Sequence, residues 1–382
     1  MPSPASVFLS WLRGVHDVAP YWPEIDERVA TGDFQWLEEV VRGMESPAFG
    51  LEPWVVQSIR GRAEDGLALT PGVASARGAI AIAQLSREVS GLTDSPSAAA
   101  SVAARLGAAQ SDATFAEVAR EHVGNPMLED WLATWMYERV ARGADLSAVA
   151  EAVELAASLR AHGHPLGRLL LALRPIESET PGRLPRYARG ASSVHRPGLP
   201  PAPTSPPLEQ GPPDEAAAEV QDAAGAGEAL AIAAAVGPGS NWKVDARVLR
   251  AARVPLHIGP AFLASLGMPC FDGAPLEAIT ARVASASDAF GALFSVAAVG
   301  GAYGGGRGGA WGRLAAWQSL AALVGRPGEL EPEAIERAVH ECRFCLFDAD
   351  AAWWYHVAWD LGVAVRRPDG RTLALLAATD TD

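Results

Sequence analysis

Between Tyr355 and Val365 every second residue is large and apolar: Tyr355, Val357, Trp359, Leu361, Val363 and Val365. A period of two puts all six on one face of an extended chain, so the pattern predicts a strand. "RPDGR" (367–371) supplies a proline and an Asp-Gly pair for a tight turn, and "TLALLAAT" (372–379) is expected to return as the second strand of a hairpin. Upstream, "VDARVLRA" (244–251) alternates and reads as a strand. "FGALFSVAAVG" (290–300) is apolar on both faces, as a central buried strand is. Residues 274–290, 311–325 and 332–342 read as helices.

The first half of the chain carries the other period. "DFQWLEEVVRGM" (33–44), "EPWVVQSIRGRAED" (52–65), "SPSAAASVAARLGAA" (95–109) and "DLSAVAEAVELAASLRAHG" (145–163) show helical apolar spacing. In "NPMLEDWLATWMYERVARG" (125–143), Asn125 and Pro126 suit a helix start and Gly143 a stop. Met127, Leu128, Trp131, Leu132, Trp135, Met136 and Val140 form one stripe, with Glu129, Asp130, Glu138 and Arg142 elsewhere. Eleven prolines between Pro175 and Pro213 predict a semi-extended spacer. The expected fold is therefore α plus α+β. An all-helical array or bundle (1–174) leads through a Pro-rich linker (175–215) to an α+β domain (216–382) with a mixed sheet closed by an antiparallel hairpin.

Charge narrows the partners. Forty-five acidic residues against 31 basic ones leave a net charge of −14. Such a chain lacks the basic face that phosphates demand, so neither a nucleic acid nor an anionic membrane surface is expected as a partner. Another protein is. No apolar run is long enough to span a bilayer and no signal peptide opens the chain. Three cysteines, Cys270, Cys342 and Cys345, are too few for a disulfide framework, so the expected compartment is the reducing cytoplasm.

"SNWKVDARVLR", "GGAYGGGRGGAWGRLAAW" and "VAWDLGVAVRRPDGRTLALLAATDTD" together resemble an uncharacterised family of proteins from actinobacteria and similar GC-rich bacteria. The resemblance covers about residues 240–382. It implies a cytoplasmic bacterial protein, and brings no assigned activity, cofactor or catalytic residue.

The candidate chemistry lies in the C-terminal half. In "GGAYGGGRGGAWGRLAAW" (300–317), Gly304, Gly305, Gly306, Gly308 and Gly309 would let backbone N–H groups point at an anion ahead of a helix, with Arg307 and Arg313 adding charged contacts. The alternative is close packing, with Trp311 and Trp317 anchoring the helix and Gly308, Gly309 and Gly312 letting its start lie close to a strand. No Gly-Lys-hydroxyl ending marks a P-loop. In "HECRFCLFDAD" (340–350), Cys342 and Cys345 form one C-x-x-C without a second, better read as buried thiols than as a metal knuckle. Asp348 and Asp350 stand as a carboxylate pair for a divalent ion, or as turn formers. His356 and Asp360, four strand residues apart, are separated by about 13 Å and are not a dyad. No nucleophile elbow, metalloprotease or kinase motif is present.

Two functions fit these features. One is a non-enzymatic protein-interaction or regulatory protein, of the inhibitor or immunity type. The other is an enzyme or sensor that binds a phosphate- or carboxylate-bearing small molecule at the glycine-rich stretch. No cofactor is expected for either.

Overall fold

A computed structural model describes residues 3–381 except 45, 47, 91–95, 123, 188–219, 223–224, 238–239, 303–305 and 358. The chain divides into two compact units, Met1–Gly163 with Pro185–His195, and His164–Leu184 with Arg196–Asp382. No helix among the described residues is long and apolar enough to cross a membrane.

The first unit is built from nine helices among its described residues: α1 (Pro4–Trp11), α2 (Trp22–Thr31), α3 (Phe34–Met44), α4 (Pro53–Leu69), α5 (Val73–Ser90), α6 (Pro96–Ala109), α7 (Asp112–His122), α8 (Pro126–Ala141) and α9 (Ala150–Ala161). Helix α8 is central, packed by α6, α7 and α9. Its burial runs almost all the way round, through Trp131, Ala133, Trp135 and Tyr137, instead of along one stripe. Glu138 is buried with the rest and pairs with Arg142 at 3.1 Å, which satisfies a charge that an apolar surround cannot tolerate alone. Trp135 meets Phe115 of α7 edge to face, ring centroids 5.3 Å apart.

The second unit holds a six-stranded sheet in the order β1-β2-β6-β5-β4-β3: β1 (Val220–Asp222), β2 (Lys243–Ala251), β3 (Ile279–Ala284), β4 (Arg343–Ala349), β5 (Trp359–Arg366) and β6 (Thr372–Asp380). Every neighbouring pair is antiparallel, so the sheet is not mixed. The β5–β6 hairpin is also not its edge. Its turn is fixed by the Asp369 carboxylate, which accepts from the N–H groups of Arg371 (2.9 Å) and Thr372 (2.8 Å), with Gly370 at φ +67°. Because β6 also pairs with β2 and β5 with β4, the hairpin occupies the centre.

Helices α10 (Ala226–Ile232), α11 (Pro260–Ala264), α12 (Ala286–Val299), α13 (Gly308–Leu323) and α14 (Pro332–Glu341) complete the unit. Helix α12 packs on β3, β4 and β5, and α13 packs on α12. The opposite face is covered by the segment around α11: Val254, Ile258, Phe262, Leu263, Met268 and Phe271 share one core with Phe347, Trp354, Leu373 and Leu375. Residues 290–299 of the run expected as a strand (290–300) therefore belong to α12, and Gly300 ends it. The run is apolar on both faces because the helix is enclosed, and a continuous apolar run does not distinguish the two cases. Residues 279–284, expected inside a helix, form edge strand β3.

Residues 175–184 are not spacer. They belong to the second unit, where Glu177 is fully buried. Pro185 and Tyr187 belong to the first: Arg142 donates to the Pro185 carbonyl at 3.2 Å, and Arg105 and Arg142 each lie 5.3 Å from the Tyr187 ring. Residues 188–215 of the expected linker lie outside the described residues.

Candidate functional site

Helix α12 ends at Gly300, whose φ of +81° turns the chain out of the helix. The glycine-rich stretch then departs from the end of β6. The Asp380 carboxylate, fully buried, accepts from the Ala302 N–H at 2.6 Å and the Ser240 hydroxyl at 2.7 Å through one oxygen. Its other oxygen, Oδ1, has no hydrogen-bond partner among the described residues. Gly301 sits so close to Asp380 and Ser240 that a β-carbon there would overlap both.

Gly304 and Gly305 lie outside the described residues. Gly306 lies directly on the backbone of Ala298 and Val299 and has no room for a side chain. The Arg307 N–H bonds the Ala297 carbonyl at 3.0 Å, and Gly308 takes φ +69° before α13 begins. Further along, a β-carbon at Gly312 would stand 2.8 Å from the Ala298 Cα. These glycines bring α13 against α12, a helix and not a strand. Close packing is thus present at Gly306 and Gly312.

The two arginines part company. Arg313, expected to reach an anion, is fully buried and already has one inside the fold. Its Nε and Nη2 donate to the two Glu177 oxygens at 2.5 and 2.8 Å, and Nη1 and Nη2 to the carbonyls of Leu170 and Ala172 at 2.8 and 3.1 Å. Trp317 Nε1 and the Arg174 N–H also donate to Glu177, each at 2.8 Å. Four of the five guanidinium N–H groups are thus engaged inside the fold, and the side chain is 0% exposed.

Arg307 is the opposite case. Its guanidinium is half-buried beside Gly237, and among the described residues no carboxylate pairs with it. Burial holds its pKa below the usual arginine value.

Asp348 and Asp350 stand where β4 ends. Asp348 accepts from the Ala349 N–H at 2.8 Å, and burial pushes its carboxyl above the usual range. Asp350 is exposed. No three His, Cys, Asp or Glu side chains among the described residues are grouped to hold a metal ion.

The expected separation of His356 and Asp360 is overturned. His356 has φ +52°, so the chain turns there and β5 starts only at Trp359. That brings His356 Nδ1 to 3.1 Å from Asp360 Oδ2, while Nε2 lies 3.1 Å from the Ala349 carbonyl. Asp360 Oδ1 accepts from the Thr379 hydroxyl at 2.6 Å, and Thr379 accepts from the Tyr355 N–H at 2.9 Å. With an acceptor at each ring nitrogen, both bonds form only when both nitrogens carry protons. Burial opposes that charge, but the Asp348 and Asp360 carboxylates and the hydrogen bonds outweigh it, and His356 titrates above its ordinary value. With both nitrogens engaged, the imidazole clamps the turn between Ala349 and Asp360.

Cys270, Cys342 and Cys345 are free and buried. Burial pushes their thiols up to about 12, about 11 and about 12, so all three stay protonated and unreactive near neutrality.

The model of a family of unknown function (DUF6183) matches residues 19–382. The chain belongs to that family. Membership takes in most of the helical unit as well as the sheet unit, well beyond the 240–382 segment on which the resemblance rested. No curated protein and no solved structure matches the chain.

Proposed function

We propose that the second unit binds a small molecule bearing a phosphate or carboxylate at the turn Gly306–Gly309, as a sensor or an enzyme. The observation that carries this reading is the Arg307 guanidinium, half-buried with no acidic partner among the described residues. A desolvated charge left unpaired is costly, and an incoming oxyanion removes that cost through bidentate hydrogen bonds. Arg313 has no part in the site. The protein-interaction reading has less behind it, because the exposed Trp11, Trp54 and Val153 stand on three different helices, α1, α4 and α9.

The test is a thermal-shift comparison of the full chain and Arg307→Ala against inorganic phosphate, ATP, glucose 6-phosphate and citrate. A ligand at 100 times its Kd stabilises by about 2.7 kcal/mol. The expected result is stabilisation by at least one probe that disappears in Arg307→Ala. No stabilisation by any of the four, or equal stabilisation of the variant, overturns the reading.

A further inference from the structure

A cavity of about 740 Å³ opens in the second unit between α14, the free edge of β3, the start of α12 and the 256–258 segment. Its size lies within the range of about 300–1,000 Å³ usual for small-molecule sites. The walls are apolar: Leu256, Ile258, Val283, Val339 and Phe344 line it. Leu256 and Val283 are 52% and 40% exposed, so apolar surface there remains in water.

The polar groups around this apolar body are biased to one sign. Arg343, His257 and His340 line the cavity and are exposed. Arg343 donates to the Cys342 carbonyl at 3.0 Å, and no carboxylate pairs with any of the three among the described residues. Arg174 is also present, but Glu336 holds it in an ion pair and Glu333 lies 3.8 Å away. The acid in the lining is therefore already neutralised, in a chain whose net charge is −14. Helix α12 starts on the same cavity. Its capping box uses the Ser285 hydroxyl for the Asp288 N–H (3.0 Å) and the Asp288 carboxylate for the Ser285 N–H (2.7 Å). The N–H groups of Ala286 and Ser287, both in the lining, are left without a partner among the described residues.

We propose that this cavity is a second binding site, for an organic acid whose apolar body fills the pocket and whose carboxylate meets Arg343, His340 and the first turn of α12. The site shares no residue with the turn at Arg307 and does not depend on it. Cys342 and Cys345 form part of its wall as neutral thiols, which suits an apolar occupant.

Isothermal titration of the full chain with decanoate, below its micelle concentration, tests the assignment, with decanol and inorganic phosphate as the arms lacking the charge or the body. Decanoate is expected to bind saturably at one site, and decanol and phosphate more weakly. Arg343→Ala with His340→Ala, at exposed positions, should weaken decanoate by about tenfold or more, the loss of one charged hydrogen bond. Val283→Trp should fill the pocket and abolish binding, whereas Arg307→Ala should bind as the parent does. The proposal falls if decanoate does not saturate, if decanol binds as tightly, or if folded Val283→Trp binds decanoate unchanged.

Discussion

Replacing Glu177 by alanine removes the acceptor of four hydrogen bonds at once, from Arg313 Nε, Arg313 Nη2, Trp317 Nε1 and the Arg174 N–H. Both ion-pair side chains are 0% exposed, so no water replaces the lost carboxylate. The two carbonyls of Leu170 and Ala172 still satisfy part of the guanidinium but not its charge. Breaking such a buried pair from one side costs about 3–5 kcal/mol, because the remaining ion is stranded. For a unit of this size that is a fall in Tm of roughly 6–20 °C, at about 2–4 °C per kcal/mol. Calorimetry of the full chain reads it directly. The double variant Glu177→Leu with Arg313→Met removes both charges together, and apolar replacement of a buried pair is often close to neutral. It should therefore melt above Glu177→Ala. The reasoning fails if Glu177→Ala costs less than about 1 kcal/mol, or if the double variant loses as much as the two single changes summed.

His356→Ala should reveal the raised pKa of the imidazole. A histidine whose folded pKa exceeds its unfolded value of about 6.5 stabilises fully below that value and loses the contribution as pH rises through the folded one. The parent should exceed the variant by more at about pH 5.5 than at about pH 9, and a gap independent of pH would count against the cation. Gly312→Ala should lower the Tm of the chain, since its β-carbon meets the backbone of Ala298 and overpacking costs about 1–3 kcal/mol. An unchanged Tm would mean that α12 and α13 separate freely.

The period-two run at the end of the chain was readable because its side chains alternate whatever pairs with it. Its position in the sheet was not readable, since the registers with β2 and β4 leave no mark in the hairpin itself. The misread α12 did carry a usable signal. Ser285 and Asp288 stand in capping-box spacing ahead of the apolar run, and that spacing marks a helix start. Glu177 had no such signal, since a lone acid in proline-rich sequence looks solvated until Arg313 is placed opposite it. The apolar alternation runs on through Tyr355 and Val357 into a stretch where the backbone turns at φ +52°, so period two alone misplaces His356. Arg307 and Arg313 looked equivalent six residues apart. Only the tertiary burial of Arg313 with its own carboxylate separates it from Arg307, which has no carboxylate partner among the described residues.

The chain leaves its first unit at Gly163, builds Glu177 into the second, and returns Pro185–Tyr187 to the first before going on. No single recombination point in the gene can therefore exchange either unit whole. A crossover before residue 164 carries Tyr187 away from Arg105 and Arg142, and one after residue 187 parts Glu177 from Arg313. Shuffling either unit whole into a new protein needs two coordinated exchanges. The family match likewise takes in parts of both units, from residue 19 to residue 382.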